Sequence, residues 1–403
     1  METAGRTRIL IAGGGVAALE AALALRALAG EQASVELVAP ESDFVYRPLA
    51  VAEPFRVGEV RRFPLRRLAQ AAGAMLRQEQ VAEVDPDLHA AKTMTGESLP
   101  YDLLLLALGA TPVRAIPGTL CFGGPADSTA LARVLEEAVH GEIRKIVFAL
   151  PAGATWPLPL YELALLTRSY FVDRGATSVE VALVTPEDRP LSLFGRAAGH
   201  AVADLLDARG IALSTSTVPL AFEDGSLAVA PGGELQADRV ISLPRLEGPR
   251  LKGIPHDLQG FVPTSELGEV IGEDDVYAAG DITNFPLKQG GIAAQQADAA
   301  AQAMAARAGA PVEPEPFRPV LRGVLLTGME PRFLRAERRA TETSVVDTEP
   351  LWWPPAKIVG RHLAPFLAEH LGLSDSLPAS AREGALNVEI ELDPAHHGAW
   401  STL

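Results

Sequence analysis

Cysteine is almost absent from this 403-residue chain, Cys121 being the only one. That excludes an internal disulfide and a redox CxxC pair, and it makes a reducing, cytoplasmic setting the expectation. Surplus positive charge is missing as well. A net charge of -16 removes nucleic acid from the expected partners, because phosphate neutralisation needs excess Lys and Arg. It also weakens attraction to an anionic membrane surface. No run reaches the ~18 consecutive apolar residues of a membrane span. The N-terminus passes straight into a strand-like run without the organisation of a signal peptide. The histidines show no metal-ligand spacing. His396 and His397 are adjacent, and adjacent residues do not share a helix face, so no metal is expected.

What the chain does have is apolar mass, 48% of residues, which suits a well-packed α/β protein of two or three domains. It also has a glycine turn near its start, in "RILIAGGGVAALEAALALRAL". Arg8 to Ala12 read as a buried parallel strand and Val16 to Leu28 as a helix. Gly13, Gly15 and Ala18 follow the spacing GxGxxA. The first glycine permits the tight turn, the second lets backbone approach a pyrophosphate, and the small third residue lets helix and strand pack closely. A phosphate would then sit on the helix N-terminus, against the N–H groups of Val16, Ala17 and Ala18. The pattern predicts a dinucleotide site, the alternative being a merely tight turn. The next strand, "SVELVA", should end in an acid for the adenosine ribose. It ends in Ala39 and Pro40. Glu41 is therefore the candidate, against the alternative of a solvated loop acid.

Two later segments select FAD among dinucleotides. "YDLLLLALGATP" is an apolar strand running through Ala107 and closed by Gly109, Ala110 and Thr111. "DDVYAAGDITNFPLKQGGIAAQQADAAAQAM" reads as a strand, a Gly280–Asp281 turn, a loop and a long Ala/Gln helix. Asp281 would accept hydrogen bonds from the ribityl hydroxyls. The helix starting near Gly291, preceded by Gln289 and Gly290, would aim its positive end at the flavin's pyrimidine edge and stabilise the anionic reduced form. Lys288 beside it would favour reduction, the alternative being a surface lysine.

In this order the motifs resemble the FAD-dependent pyridine nucleotide-disulfide oxidoreductase superfamily, the flavoproteins with two dinucleotide-binding domains. The similarity is to the branch of sulfide:quinone oxidoreductases and type II NADH dehydrogenases. "GGGVAALEAA", "FVYRPLA" and "KQGGIAAQQAD" carry it, between Arg8 and Phe333. The resemblance implies an α/β fold of two Rossmann-like FAD/NAD(P)-binding domains, the second inserted in the first, and a C-terminal segment that shields the flavin. Gly13, Gly15, Ala18, Gly109, Gly280 and Asp281 match family FAD positions, and Arg47 and Pro48 match the loop passing over the cofactor. Val81 joins the expected FAD contacts. Glu41 lies two positions from the family's usual acid. The expected division is 1–112 for the first part of the FAD domain, 113–246 for the insertion, 247–320 for the rest of the FAD domain, and 321–403 for the shielding segment.

The insertion repeats the first unit's β–α–β plan, with "KIVFAL", "PLYELALLTRSYFVDRG", "SVEVALVT" and "AAGHAVADLLDARG". Its phosphate loop does not repeat. "PAGATWPL" offers Gly153 and then bulk: Trp156 takes space a pyrophosphate needs, and prolines remove N–H donors. The resemblance places a reactive cysteine of the sulfide enzymes at Trp156 and a second at Gly323 or a neighbour. Without a thiolate there is no persulfide to attack a flavin, so sulfide is not the expected donor. Cys121 is read either as a flavin tether or single nucleophile, or as a small buried apolar residue. Tyr161 and Glu162 fall in the frame shared with relatives and are the catalytic candidates together with Lys288. The alternative for Glu162 is a helix-face carboxylate paired with a neighbour.

Trp352 and Trp353 are pocket candidates, to cover the isoalloxazine or line an apolar acceptor site, against the alternative of a domain clamp. Residues 361–371 read as a short helix containing Pro365, and "GALNVEIELD" as a terminal strand. The leading expectation is an FAD-dependent oxidoreductase passing two electrons from a small-molecule donor to a quinone. The rivals are an NAD(P)H-dependent flavin oxidoreductase and a non-catalytic FAD sensor or scaffold. Peripheral membrane contact and a homodimer stay open.

Overall fold

The structure, a computed structural model, describes residues 5–328, 333–339, 341–347, 357–371 and 385–391. Its helices are α1 (Val16–Leu28), α2 (Leu65–Ala71), α3 (Ser128–Val139), α4 (Leu158–Asp173), α5 (Gly195–Ala208), α6 (Gly290–Arg307) and α7 (Leu363–Leu371). Trp352 and Trp353 lie outside the described residues.

The first sheet is parallel throughout, in the order Val276–Ala278, Leu103–Leu106, Thr7–Ala12, Ala33–Val38, Met75–Arg77. Leu103–Leu106 and Val276–Ala278 are wholly buried, and Thr7–Ala12 is buried from Ile9 on, because both faces of the sheet's centre are covered. Ile9 and Ile11 pack in one core cluster and Leu10 and Ala12 in another, on opposite sides of the sheet. On one side lie α1 and α6, which approach closely through small residues. A Cβ on Gly280 would sit 3.2 Å from the Ala17 Cβ and 3.4 Å from that of Ala293. On the other lies the antiparallel sheet of Val81–Asp85, Ala90–Thr93 and Ser98–Pro100.

The second sheet is also parallel, in the order Leu120–Cys121, Arg239–Ser242, Lys145–Ala149, Glu180–Val184, Ile211–Ser214. The chain leaves the first unit through Thr111–Val113 and returns through Arg245–Glu247, and these two strands pair antiparallel. The fold is thus α/β, with two Rossmann-like units, one inserted in the other.

The C-terminal segment adds Val320–Leu326, which pairs antiparallel with Ala385–Glu391, the strand expected from the alternating tail. Helix α7 begins at Leu363, so Pro365 falls in its first turn. The missing N–H there would have had no intrahelical partner. Among the described residues no helix is long and apolar enough to cross a membrane.

Candidate active site

In both sheets the strand order reverses, beside Thr7–Ala12 in one and beside Lys145–Ala149 in the other. Open α/β sheets bind ligands outside the carboxyl ends of their strands at such switch points. In the first sheet Ala12, Val38, Leu106 and Ala278 stand level at that edge. The residues that follow each strand therefore converge: Gly13 through Ala18, Ala107 through Ala110, and Gly280 with Asp281.

Gly13 and Gly15 do different work there. At Gly13 φ is +129, and a Cβ would stand 2.2 Å from the Ala107 carbonyl oxygen, so only glycine closes the turn against the neighbouring loop. A Cβ on Gly15 would meet nothing within 4 Å. Gly15 is also the N-cap of α1 and supplies no side-chain cap. Open space at Gly15 thus adjoins the positive end of α1, an arrangement that suits an anion. Gly109 likewise borders open space.

Asp281 lies directly after the Gly280 turn, and its carboxylate has no hydrogen bond or ion pair among the described residues. Burial pushes its carboxyl above the usual range, opposed by the Lys288 and Arg47 charges. The Asp281 acceptor is uncommitted, the α1 N-terminus is open, and the Gly13 turn leaves no room for a side chain. These three features fit an FAD held by diphosphate and ribityl groups.

Other predicted contacts sit further off or are already committed. Lys288 is buried; its ammonium donates to the Thr283 carbonyl and lies 3.9 Å from the Phe261 ring centroid. Burial lowers it to about 8, with Asp281 and then Asp257 opposing. Gln289 caps α6, accepting from Ile292 N at 2.9 Å and donating to Arg322 O at 3.1 Å. Ile358 packs on Gly290, and its N–H donates to the buried Tyr46 hydroxyl at 3.3 Å, so the α6 N-terminus is covered by the C-terminal segment. Gly291 is buried beneath the Gln289 side chain. Glu41 and Arg47 are exposed, Pro48 is half-buried, and the Val81 side chain is buried in the core beneath the first sheet.

The second switch point is built differently. Helix α4 starts from Pro157 with Pro159 in its first turn and no side-chain cap. Leu160 N already donates to Pro157 O. Trp156 packs edge-on to Phe194 with ring centroids 5.6 Å apart. A Cβ on Gly323 would come within 2.9 Å of the same Phe194 ring and 3.1 Å of Leu158. The two positions that the resemblance assigns to thiols therefore meet on one phenyl ring. Cys121 sits at this edge, level with Ser242, half-buried, and burial raises its thiol.

Tyr161 and Glu162 are committed elsewhere. Tyr161 is buried and donates to Glu187 Oε2 at 2.6 Å, which also accepts from Thr185 at 3.0 Å. Glu162 Oε1 accepts from Lys357 Nζ at 2.6 Å and from Leu326 N at 2.8 Å, with both ionic side chains buried.

Sequence reading missed the rest of this clamp. Glu20 of α1, fully buried, accepts from His362 N and Leu363 N at 2.8 and 2.7 Å and so caps α7 from another helix. Asp298 of α6 meets Arg361 at 3.2 Å. The available signal was a lone acid inside an Ala/Leu helix, which is either exposed or buried with a partner.

A cleft of about 550 Å³ opens between Gly153–Thr155, in the loop before α4, and Asn284–Leu287, the segment that continues from Asp281.

The two nested Rossmann-like units thus differ at their turns, with open space at Gly15 in one and Trp156, Pro157 and Pro159 in the other. Residues 7–147 match the family model for pyridine nucleotide-disulphide oxidoreductase. The chain is 26% identical over 296 residues to an NADH dehydrogenase-like protein of Mycobacterium tuberculosis, covering 68% of this chain and 72% of that one. It is 28% identical over 305 residues to the demethylphylloquinone reductase of Synechocystis, covering 69% and 72%. Its fold is similar to the sulfide:quinone oxidoreductase of Aquifex aeolicus, with a TM-score of 0.72 at 19% identity over 79% of this chain and 81% of that one. It is also similar to NDH2 of Plasmodium falciparum in complex with NADH, at 0.57 and 14% over 69% and 64%.

Proposed function

We propose that this protein is an FAD-dependent oxidoreductase that passes two electrons to a quinone and does not take them from a nicotinamide dinucleotide or from sulfide. The observation that carries this reading is the contrast between the two switch points, open at Gly15 and closed at Trp156, Pro157 and Pro159. Bound flavin would supply the two-electron chemistry. The chain's own residues bind and orient. The α1 N–H groups would hold the diphosphate, Asp281 would accept from the ribityl hydroxyls, and the N-terminus of α6 would supply positive partial charge to the flavin. Ile358 and Tyr46 keep water from that helix end.

The aromatic packing on Phe194 argues against sulfide, since neither expected thiol position carries sulfur. The name of the Synechocystis relative supports a quinone acceptor, and a quinone dissolved in lipid goes with a cytoplasmic protein making peripheral membrane contact. The names of the mycobacterial and Plasmodium proteins favour the second reading, NAD(P)H as donor.

The first test is direct. The purified protein is expected to release FAD on denaturation. After anaerobic photoreduction its flavin is expected to reoxidise on mixing with a short-chain ubiquinone analogue. Flavin-free protein, or reduced flavin indifferent to the quinone, would overturn the proposal.

A further inference from the structure

The cleft beside the loop before α4 has a composition of its own. Among the described residues that line it Glu266 is the only charged one, and it is exposed. The polar side chains of Thr155, Gln259, Thr264 and Asn284 make no hydrogen bond among the described residues. Phe285 and Phe317 form an edge-on aromatic pair, ring centroids 5.2 Å apart, in the wall. Gln296, also in the wall, accepts from Gly280 N at 2.8 Å and donates to Thr283 Oγ1 at 3.2 Å. The cleft and the predicted cofactor edge thus share one turn, residues 280–287.

We propose that this cleft is the electron-donor site and that it takes an uncharged, planar, phosphate-free two-electron donor. The proposal rests on the FAD oxidoreductase reading. A phosphate-bearing donor would find no cation among the described lining residues, and Arg245, whose side chain passes 3.8 Å from a Cβ on Gly153, is paired with Glu247 at 2.8 Å; it would also face the exposed carboxylate of Glu266, where like charge is unfavourable. Uncommitted hydroxyl and amide groups and two aromatic rings match a flat ring with neutral polar substituents, and a volume of about 550 Å³ is in the range of small-molecule sites.

The transfer closes without further reactants. A C–H bond of the donor breaks, the hydrogen leaves with both bonding electrons for the oxidised flavin, and the donor remains with one added positive charge. That charge arises near Glu266, and the quinone later removes the two electrons.

The test uses FAD-loaded protein and isothermal titration with the N-benzylnicotinamide cation, the oxidised form of a phosphate-free hydride donor. ADP-ribose serves as the phosphate-bearing competitor. Saturable binding that ADP-ribose does not displace is expected. Glu266→Gln is expected to weaken it about threefold, the size of an exposed charge interaction. Ala154→Trp should abolish it by filling the cleft. Thr155→Val, nearly isosteric, should weaken it without touching the fold, and it carries the test if the tryptophan disturbs folding. No saturable binding, displacement by ADP-ribose, or binding unchanged by both Ala154→Trp and Thr155→Val would overturn the donor site and leave the FAD reading standing. Protein that purifies without FAD overturns both.

Discussion

Lys357→Met is expected to lower the unfolding free energy by about 3–5 kcal/mol, the cost of leaving one member of a buried ion pair alone. Lys357 and Glu162 are 7% and 1% exposed, with nitrogen and oxygen 2.6 Å apart. Burial drives Glu162 above and Lys357 below their ordinary values, so each is pushed toward its neutral form against the pull of its partner. Desolvation therefore offsets much of the attraction, and the pair contributes little net stability while being costly to break singly. Adding Glu162→Gln to Lys357→Met should recover about 2 kcal/mol or more, because the amide oxygen still accepts from Leu326 N and no buried charge remains. Urea midpoints at unchanged slope measure both changes. Equal midpoints for wild type and Lys357→Met would show that the pair does not close the C-terminal segment onto α4.

Gly15→Leu is expected to weaken FAD binding by about a hundredfold or more, equivalent to roughly 3 kcal/mol, and to leave the stability of the FAD-free protein nearly unchanged. The side chain enters the space where the diphosphate would lie, and a Cβ there meets no protein atom within 4 Å. Gly13→Ala should do the reverse in part. Its Cβ strikes the Ala107 carbonyl and its φ of +129 is poor for alanine, so the FAD-free protein itself is destabilised. Thermal midpoints without cofactor, set beside fluorimetric FAD titration, separate the two effects. Equal FAD affinity in Gly15→Leu would remove the α1 N-terminus from the cofactor site.

Much of this architecture was legible because the informative residues are local. Gly13, Gly15 and Ala18 lie within one turn, and the bounds of α1 and the alternating strand near the C-terminus follow from periodicity alone. The proline-bearing start of α4 was readable for the same reason, since Pro157 and Pro159 act on the backbone beside them.

The clamp was not legible. Glu162 meets a lysine 195 positions away and Glu20 a helix start 343 positions away, and spacing in sequence carries no trace of either. Lys288 and Gln289 stand immediately before α6, as their place in the sequence implies. Their side-chain directions depend on Phe261, Thr283 and Arg322, which only the tertiary packing supplies. The shared contact of Trp156 and Gly323 with Phe194 joins three segments and appears only in the fold.

The most direct test of the central claim is an anaerobic titration of the purified, FAD-loaded protein with NADH and NADPH, read by the oxidised-flavin absorbance. With the second switch point closed, the absorbance is expected to persist at saturating concentrations of either nucleotide, while chemical photoreduction still bleaches it. Rapid, saturable bleaching by NADH or NADPH would contradict the account and make the chain a nicotinamide-dependent enzyme despite its blocked loop.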